Sequence, residues 1–533
     1  MVGWALAALA LSVCLHECAA VFLQREDLLL RREEKIPLWH HARDEDADHD
    51  DDASGEENAA FDPLSALRKA ATKGADAASK APLVLPLAGG VLMTSSALTG
   101  ASFAAAPSRP VLPNPMAGAA QAVQASMAAG AQAVQASVAA GAAAFGLKRV
   151  VEDTSDPDVG VEMEELVLRR GYPIERHRIV TEDGYVLGTY RIPHGRFKED
   201  RPEKTAHGRR RRPVVLLQHG LQDSSLAFVA NFHDQSLAFI LADAGYDVWM
   251  GNNRGNRYSR AHMTLSPRSS RYWNFTWVEM AEYDLPAEVD YILRHTGAQR
   301  FAYVGHSEGS TQAFAAFSSN SKLASKVSVF VAMAPVCFVG SQRVMFLKAV
   351  QSLGLDRMMQ MLGDEVFYLN NQASNAIMPN SCRALSSGCA FLMEAFAGKS
   401  DNLNQTRIHV YATMFPAGTS TMNIRHWVQS IKTKSFGKFD YGSSKANMRH
   451  YGSASPPTFN LKDFTVPTAI FSGANDQMAD PEDVRHLMEE LNSRAVFRFK
   501  EVPSYAHLDF ILAMDAKTKL YPHVLSALAE YMS

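Results

Sequence analysis

From about residue 148 onward the chain alternates short apolar runs with longer amphipathic segments. Residues 174–180 and 185–192 are β-rich runs flanking Glu182-Asp183-Gly184, and an Asp-Gly step between two such runs predicts a hairpin. Further apolar runs follow at 214–217, 247–250, 301–304, 327–333, 468–471 and 496–502, with helix-length stretches between them. That alternation predicts a mostly parallel sheet covered by helices on both faces. In such sheets the loops at the carboxyl ends of the strands carry the chemistry. Between 198 and 212 lies a polar insertion ending in Arg209-Arg210-Arg211-Arg212, read as a surface loop with a processing site as the alternative.

The first 147 residues lack this rhythm. Residues 4–15 are apolar and are followed by small residues ending at Ala19-Ala20, the pattern of a secretory signal removed near Ala20. No positive charge precedes Trp4, so a short membrane anchor or a misassigned start are the competing readings. The acidic run within 41–57 cannot bury apolar surface and reads as a solvated linker; it lacks the glycine turn and spaced terminal glutamate of a calcium loop. From 81 to 147 the only charge is Arg109. Residues 83–105 are long enough to cross a bilayer, but Pro86, Gly89, Gly90 and Gly100 make a poor span, and a low-complexity segment is the preferred reading. Within it Gln121-Ala-Val-Gln-Ala-Ser126 recurs as Gln132-Ala-Val-Gln-Ala-Ser137, an 11-residue repeat suited to an Ala-rich helix. The expected organisation is therefore a signal at 1–20, an acidic then Ala-rich extension at 21–147 and a folded domain at 148–533.

Composition narrows the class. The 533 residues are 47% hydrophobic and 20% charged, enough for one large domain plus an appendage. A net charge of -3 gives no basic field, so nucleic acid is not an expected partner. Of five cysteines, Cys14 and Cys18 would leave with the signal. Cys382 and Cys389 are near enough in sequence to close a small loop in an oxidising compartment, leaving Cys337 as a buried thiol; three reduced core cysteines are the alternative. Asn274 and Asn404 open glycosylation sequons, which matter only if exposed in that compartment.

The chemistry concentrates after the 301–304 run, where Gly305-His306-Ser307-Glu308-Gly309 leads into a small-residue helical stretch. Glycines at both ends of this nucleophile elbow permit a tight turn that lifts a serine hydroxyl above the sheet edge. A serine needs an imidazole to take its proton and a carboxylate to orient that imidazole. His507 lies in the loop after the last predicted strand and Asp476 in the loop after the one before, giving the order Ser, Asp, His. Asp480 and Asp509 are rival acids; Asp480 precedes Pro481 and Glu482 and reads better as a helix cap. His306 is expected to pack or hydrogen-bond. Two oxyanion donors are needed, and the candidates are the backbone N–H of Glu308 and that of Leu221, in His219-Gly220-Leu221-Gln222 after the 214–217 run. The set calls for no cofactor and no metal.

These motifs resemble the gastric and lysosomal acid lipase family, α/β-hydrolases acting on triacylglycerols and sterol esters. The resemblance covers roughly residues 161–533. It is carried by Gly171-Tyr172-Pro173, Val180 to Tyr185, His219-Gly220-Leu221, Gly251-Asn252-Asn253-Arg254-Gly255-Asn256 and Ser259-Arg260. It continues through Trp277-Val278-Glu279-Met280-Ala281, Tyr283-Asp284-Leu285-Pro286-Ala287, Pro416 to Ser420, and His507-Leu508-Asp509-Phe510-Ile511. It implies an α/β-hydrolase fold with a helical cap and lid at 337–455, a triad of Ser307, Asp476 and His507, and oxyanion donors at Leu221 and Glu308. It also places the family's short disulfide loop at Cys382 and Cys389. Glu308 departs from the family's usual Gln, and a carboxylate there is expected to shift the pH optimum or weaken the oxyanion hole.

In the cap, apolar stretches at 344–347, 358–362 and 390–393 are suited to cover an acyl pocket and open at a lipid surface, or simply to fill the cap's core. The implied activity is two-step hydrolysis of fatty-acid esters in the secretory pathway, on a neutral lipid substrate at a membrane or droplet surface, with no obligate protein partner. A steryl ester hydrolase on the same scaffold is one rival; a catalytically silent lipid-binding scaffold is the other.

Overall fold

The computed structural model describes residues 156–197, 212–344, 389, 393–394 and 397–532, with the backbone of 204–205, 208–209 and 365–366. The expected signal, acidic linker, apolar segment and 11-residue repeat all lie outside the described residues, as do Cys382 and most of the three apolar cap stretches.

The hairpin forms around its Asp-Gly step: β1 (Glu175–Val180) pairs antiparallel with β2 (Tyr185–Ile192), and Gly184 takes φ +96° at the turn. The next strands are β3 (Val214–Gln218), β4 (Asp247–Met250), β5 (Phe301–His306), β6 (Val327–Met333), β7 (Thr468–Gly473) and β8 (Val496–Val502). They assemble in the order β1-β2-β4-β3-β5-β6-β7-β8, with the two-residue strand Ala261–His262 also paired to β2. All neighbours from β4 to β8 run parallel, while β2 meets β4 antiparallel. Every residue of β3 through β7 is buried, which is why those runs are apolar on both faces. β8 keeps Arg498, Lys500 and Glu501, and charge on an edge strand discourages pairing with another chain.

The helices that accompany the sheet are α1 (Met163–Arg169), α2 (Leu237–Asp243), α3 (Leu285–Thr296) and α4 (Glu308–Ser319), followed between β6 and β7 by α5 (Ile408–Met414), α6 (Thr421–Thr433) and α7 (Ser444–Tyr451), and then by α8 (Pro481–Glu490) and α9 (Tyr521–Met532). Among the described residues no helix is long and apolar enough to cross a membrane. α3 is preceded by a capping box at Thr276 and a π turn, Met280–Asp284. Pro286 has no N–H to donate to that turn, so the backbone ladder is already broken where the wider turn sits. Two regions contain more strand than expected. The polar insertion pairs Lys204 with Arg209, and the 337–455 segment pairs Glu365–Val366 with Thr419–Ser420.

Arg254, in the loop after β4, explains three of the polar motifs at once. Its guanidinium bonds Asp183 of the hairpin turn at 2.6 and 2.9 Å and Asp284 of the π turn at 2.7 and 2.9 Å, and lies 3.9 Å from the Tyr185 ring centre. Burial opposes its charge, yet the two carboxylates outweigh that and hold its pKa above the ordinary value.

Candidate active site

The elbow is built by close packing. A side chain at Gly305 would meet the Gly309 carbonyl at 2.8 Å, and one at Gly309 would meet the Gln218 carbonyl at 2.4 Å, so only glycine lets α4 start this near β3 and β5. Ser307 between them sits at φ 55°, ψ -124°, a conformation that non-glycine residues adopt at a cost of about 1–3 kcal/mol. The packing around it meets that cost.

The structure brings Ser307, His507 and Asp476 into one buried line. His507 Nε2 lies 2.7 Å from Ser307 Oγ, and His507 Nδ1 lies 2.9 and 3.1 Å from the Asp476 carboxylate oxygens. Asp476 is fully buried and is itself aimed by the N–H groups of Met478 and Ala479, which donate to Oδ1 at 2.9 and 2.8 Å. These side chains come from loops at the carboxyl ends of β5, β7 and β8. An imidazole held this way can accept a proton on Nε2 while the carboxylate stabilises the resulting charge.

The rival acids face elsewhere. Asp480 caps α8 through the Glu482 N–H at 3.0 Å and pairs with Arg343. Asp509 accepts from Ser400 Oγ, from Ala506 N–H at 2.6 Å and from Asn402 at 3.3 Å. It ties the 400–402 segment to the histidine loop rather than touching the imidazole. His306 Nε2 donates to the His507 carbonyl at 3.0 Å, and burial pushes its pKa down to about 3. It is a neutral strut.

On the other side of Ser307 runs the 219–222 loop. A side chain at Gly220 would reach within 2.8 Å of Ser307 Cβ, so the backbone that carries Leu221 passes directly against the nucleophile candidate. His219 fixes this loop: its Nδ1 donates to the Gly220 carbonyl at 2.8 Å, and Nε2 accepts from Asn253 N–H and Asn256 Nδ2, both at 3.1 Å. Burial lowers its pKa to about 4, so the imidazole stays neutral and keeps one acceptor nitrogen. Sequence reasoning missed this strut; the only signal was the amide-rich Asn252-Asn253 and Asn256 cluster.

Glu308 is buried, and its Oε2 accepts from Trp427 Nε1 at 2.7 Å and Asn423 Nδ2 at 2.9 Å, both on α6. Burial pushes its pKa up to about 7 against the pull of the two donors. Leu221, Val336, Val339, Trp427, Ile431 and Met478 line a small apolar cleft together with Ser307. Cys337 is a buried free thiol. Asn274 is exposed, while Asn404 is half-buried and its side chain accepts from Thr406 N–H at 3.1 Å.

Glu175, His177 and His295 form the one cluster of potential metal ligands among the described residues, but Arg191 NH1 lies 2.8 Å from the Glu175 carboxylate and 3.3 Å from His295 Nε2. A guanidinium already satisfies that carboxylate.

The model of the α/β hydrolase fold matches residues 213–513, and a partial α/β-hydrolase lipase region matches 163–232. Lipase member K of Mus musculus is 41% identical over 384 residues, 71% of this chain and 94% of that protein. Gastric triacylglycerol lipase of Bos taurus is 41% identical over 379 residues, covering 70% and 93%. Lysosomal acid lipase/cholesteryl ester hydrolase of Homo sapiens is 40% identical over 381 residues, covering 70% and 92%. Matches that span the sheet, the elbow and the loops carrying Asp476 and His507 lead to one conclusion: the chain belongs to the gastric and lysosomal acid lipase family of α/β-hydrolases.

Proposed function

We propose that the protein is a lipase that hydrolyses fatty-acid esters of the triacylglycerol type, with Ser307 as nucleophile, His507 as general base and then acid, and Asp476 as the group that orients His507. The observation that carries this reading is the continuous Ser307–His507–Asp476 hydrogen-bonded line, ending at an apolar cleft. Ser307 Oγ attacks the ester carbonyl as its proton passes to His507 Nε2. The tetrahedral oxyanion is received by the backbone N–H groups of Leu221 and Glu308. Collapse expels the alcohol, which takes the proton from His507, and leaves the acyl group on Ser307. Water, deprotonated by His507, then attacks the acyl-enzyme and frees the fatty acid.

A bovine triacylglycerol lipase and a human cholesteryl ester hydrolase are equally similar in sequence, which favours carrying steryl esters as a second substrate reading. The names of the gastric and lysosomal relatives support a secretory-pathway location, with the lipid surface as the place of encounter. The folded domain is assigned to 148–533 with a cap at 337–455. The fact that Cys389 is disulfide-bonded supports the Cys382–Cys389 loop, and the exposed Asn274 supports glycosylation there.

The test uses the full chain and its Ser307→Ala variant against triolein and cholesteryl oleate, with fluorophosphonate labelling. Labelling at Ser307 and a fall of at least about 10⁴-fold in turnover are expected. Substantial hydrolysis by a folded Ser307→Ala protein would overturn the assignment. The triolein to cholesteryl oleate ratio decides between the substrates.

A further inference from the structure

The mechanism uses only the backbone of Glu308, yet its side chain joins the start of α4 to the Trp427 indole by a hydrogen bond. Trp427 is 5% exposed and forms part of the cleft wall at Ser307. An indole has a single donor, and here that donor is spent on Glu308 Oε2 at 2.7 Å. Swinging the ring out of the cleft would leave a buried N–H without its partner and remove one of two donors from a buried carboxyl.

The second donor, Asn423, locks the same helix from its other side. Its Nδ2 donates to Glu308 at 2.9 Å, and its Oδ1 accepts from the Trp277 backbone N–H at 2.8 Å. Trp277 in turn stacks on His426 with ring centres 4.6 Å apart. The helix carrying Trp427 is therefore fixed on both flanks, and the indole's own orientation depends on Glu308.

We propose that the Glu308 side chain is a positioning residue that holds the Trp427 indole as the wall of the acyl cleft and thereby sets the acyl chain length the enzyme accepts. The proposal rests on the esterase reading above. Gln at this position supplies a carbonyl oxygen that accepts from the same two donors, so the positioning role needs an acceptor rather than a charge. Ala supplies none.

The experiment measures kcat/KM of the full chain for p-nitrophenyl butyrate and p-nitrophenyl palmitate and takes the palmitate to butyrate ratio. Trp427→Ala removes the wall and raises the ratio about tenfold, the scale on which hydrophobic pockets discriminate by size. Glu308→Ala frees the ring and raises the ratio about threefold, and Trp427→Phe, which keeps a ring but has no N–H, moves it the same way. Glu308→Gln restores the wild-type ratio, whatever its absolute rate. The double variant Glu308→Ala/Trp427→Ala matches Trp427→Ala alone, because one residue acts through the other.

An unmoved ratio in Trp427→Ala, or an additive double variant, overturns the proposal. So does a Glu308→Gln ratio equal to that of Glu308→Ala. Should Glu308→Ala fail to fold by its thermal melt, Trp427→Phe decides: an unchanged ratio there overturns the proposal as well. Failure of the esterase reading looks different, since wild type would then hydrolyse neither ester and Ser307 would resist fluorophosphonate.

Discussion

Arg254 and Glu308 are both buried to about 1% exposure, and the molecule treats them in opposite ways. Arg254 faces carboxylates: its guanidinium donates four hydrogen bonds to Asp183 and Asp284, so the cation has anionic partners on two sides. Asp183 shows the result, since burial alone would raise its pKa but Arg254 more than offsets this and leaves it below the ordinary value. Glu308 receives only the neutral donors of Trp427 and Asn423, and burial pushes it up to about 7. A compensated charge can serve as a permanent lock between hairpin, loop and π turn. An uncompensated acid cannot, and it sits next to the residue proposed to do the chemistry.

The largest test of this contrast removes the compensation. Arg254→Met leaves the buried Asp284 without its cation, and breaking a buried pair from one side costs about 3–5 kcal/mol. Urea denaturation should show that loss, with ester hydrolysis reduced only in proportion to the folded fraction. Adding Asp284→Leu to the same chain should recover much of the stability, because an apolar pair of similar volume avoids the desolvation penalty. A loss below about 1 kcal/mol in the single variant would mean that Arg254 is not a lock.

Glu308→Gln probes the opposite case. Its folded pKa lies above the ordinary glutamate value, so the stabilising linkage is fully present below about pH 4.5 and is lost as pH rises through about 7. Above that, the ionised side chain carries a deficit of roughly 3 kcal/mol that the amide does not. The two proteins should melt together near pH 4, and the Gln variant should be the more stable by pH 8. Melting curves that stay parallel across this range would show that Glu308 titrates normally. Hydrolysis should follow the same direction, with the wild type falling off on the alkaline side where an anion appears beside the oxyanion donors, and the variant keeping more of its activity there.

The strands were legible, though not their order in the sheet, because β3 through β7 are buried on both faces and therefore read as uninterrupted apolar runs. Gly305-His306 and Ser472-Gly473 extend two strands beyond their apolar stretches, since hydrogen bonding to neighbours continues where hydrophobicity stops. The positions of Ser307, Asp476 and His507 after the ends of β5, β7 and β8 were also legible, as was the Asp480 cap before Pro481. The direction in which each acid points was not, because Asp476, Asp480 and Asp509 all occupy polar loops beside the same sheet edge. Nor was the bond from Glu308 to Trp427, whose partners lie 119 residues apart in the chain. Packing between the elbow and α6 creates that contact, and no local pattern encodes it. The His219 strut was hidden for the same reason: its partners Asn253 and Asn256 arrive from a different strand end.

Asp509 gives the finest test, because it stands between the two extremes. Like Glu308 it has no cation beside it among the described residues, but three donors rather than two reach it, including a backbone N–H at 2.6 Å. Burial raises its pKa to about 6 while those donors pull it back. The sign is therefore that of Glu308, with stability lost between about pH 3.8 and 6. Asn in its place can keep all three contacts, with its oxygen accepting from Ala506 N–H and Asn402 and its amide donating to Ser400 Oγ. Asp509→Asn should accordingly gain about 2 kcal/mol at pH 7 and nothing near pH 3.5, as read from urea midpoints at the two pH values. Because the 400–402 segment clasps the loop carrying His507, a gain in stability that also lowers kcat would mean that this loop must loosen during turnover. A net loss of stability at pH 7 would instead place Asp509 with Arg254, as an ionised group whose surroundings stabilise its charge.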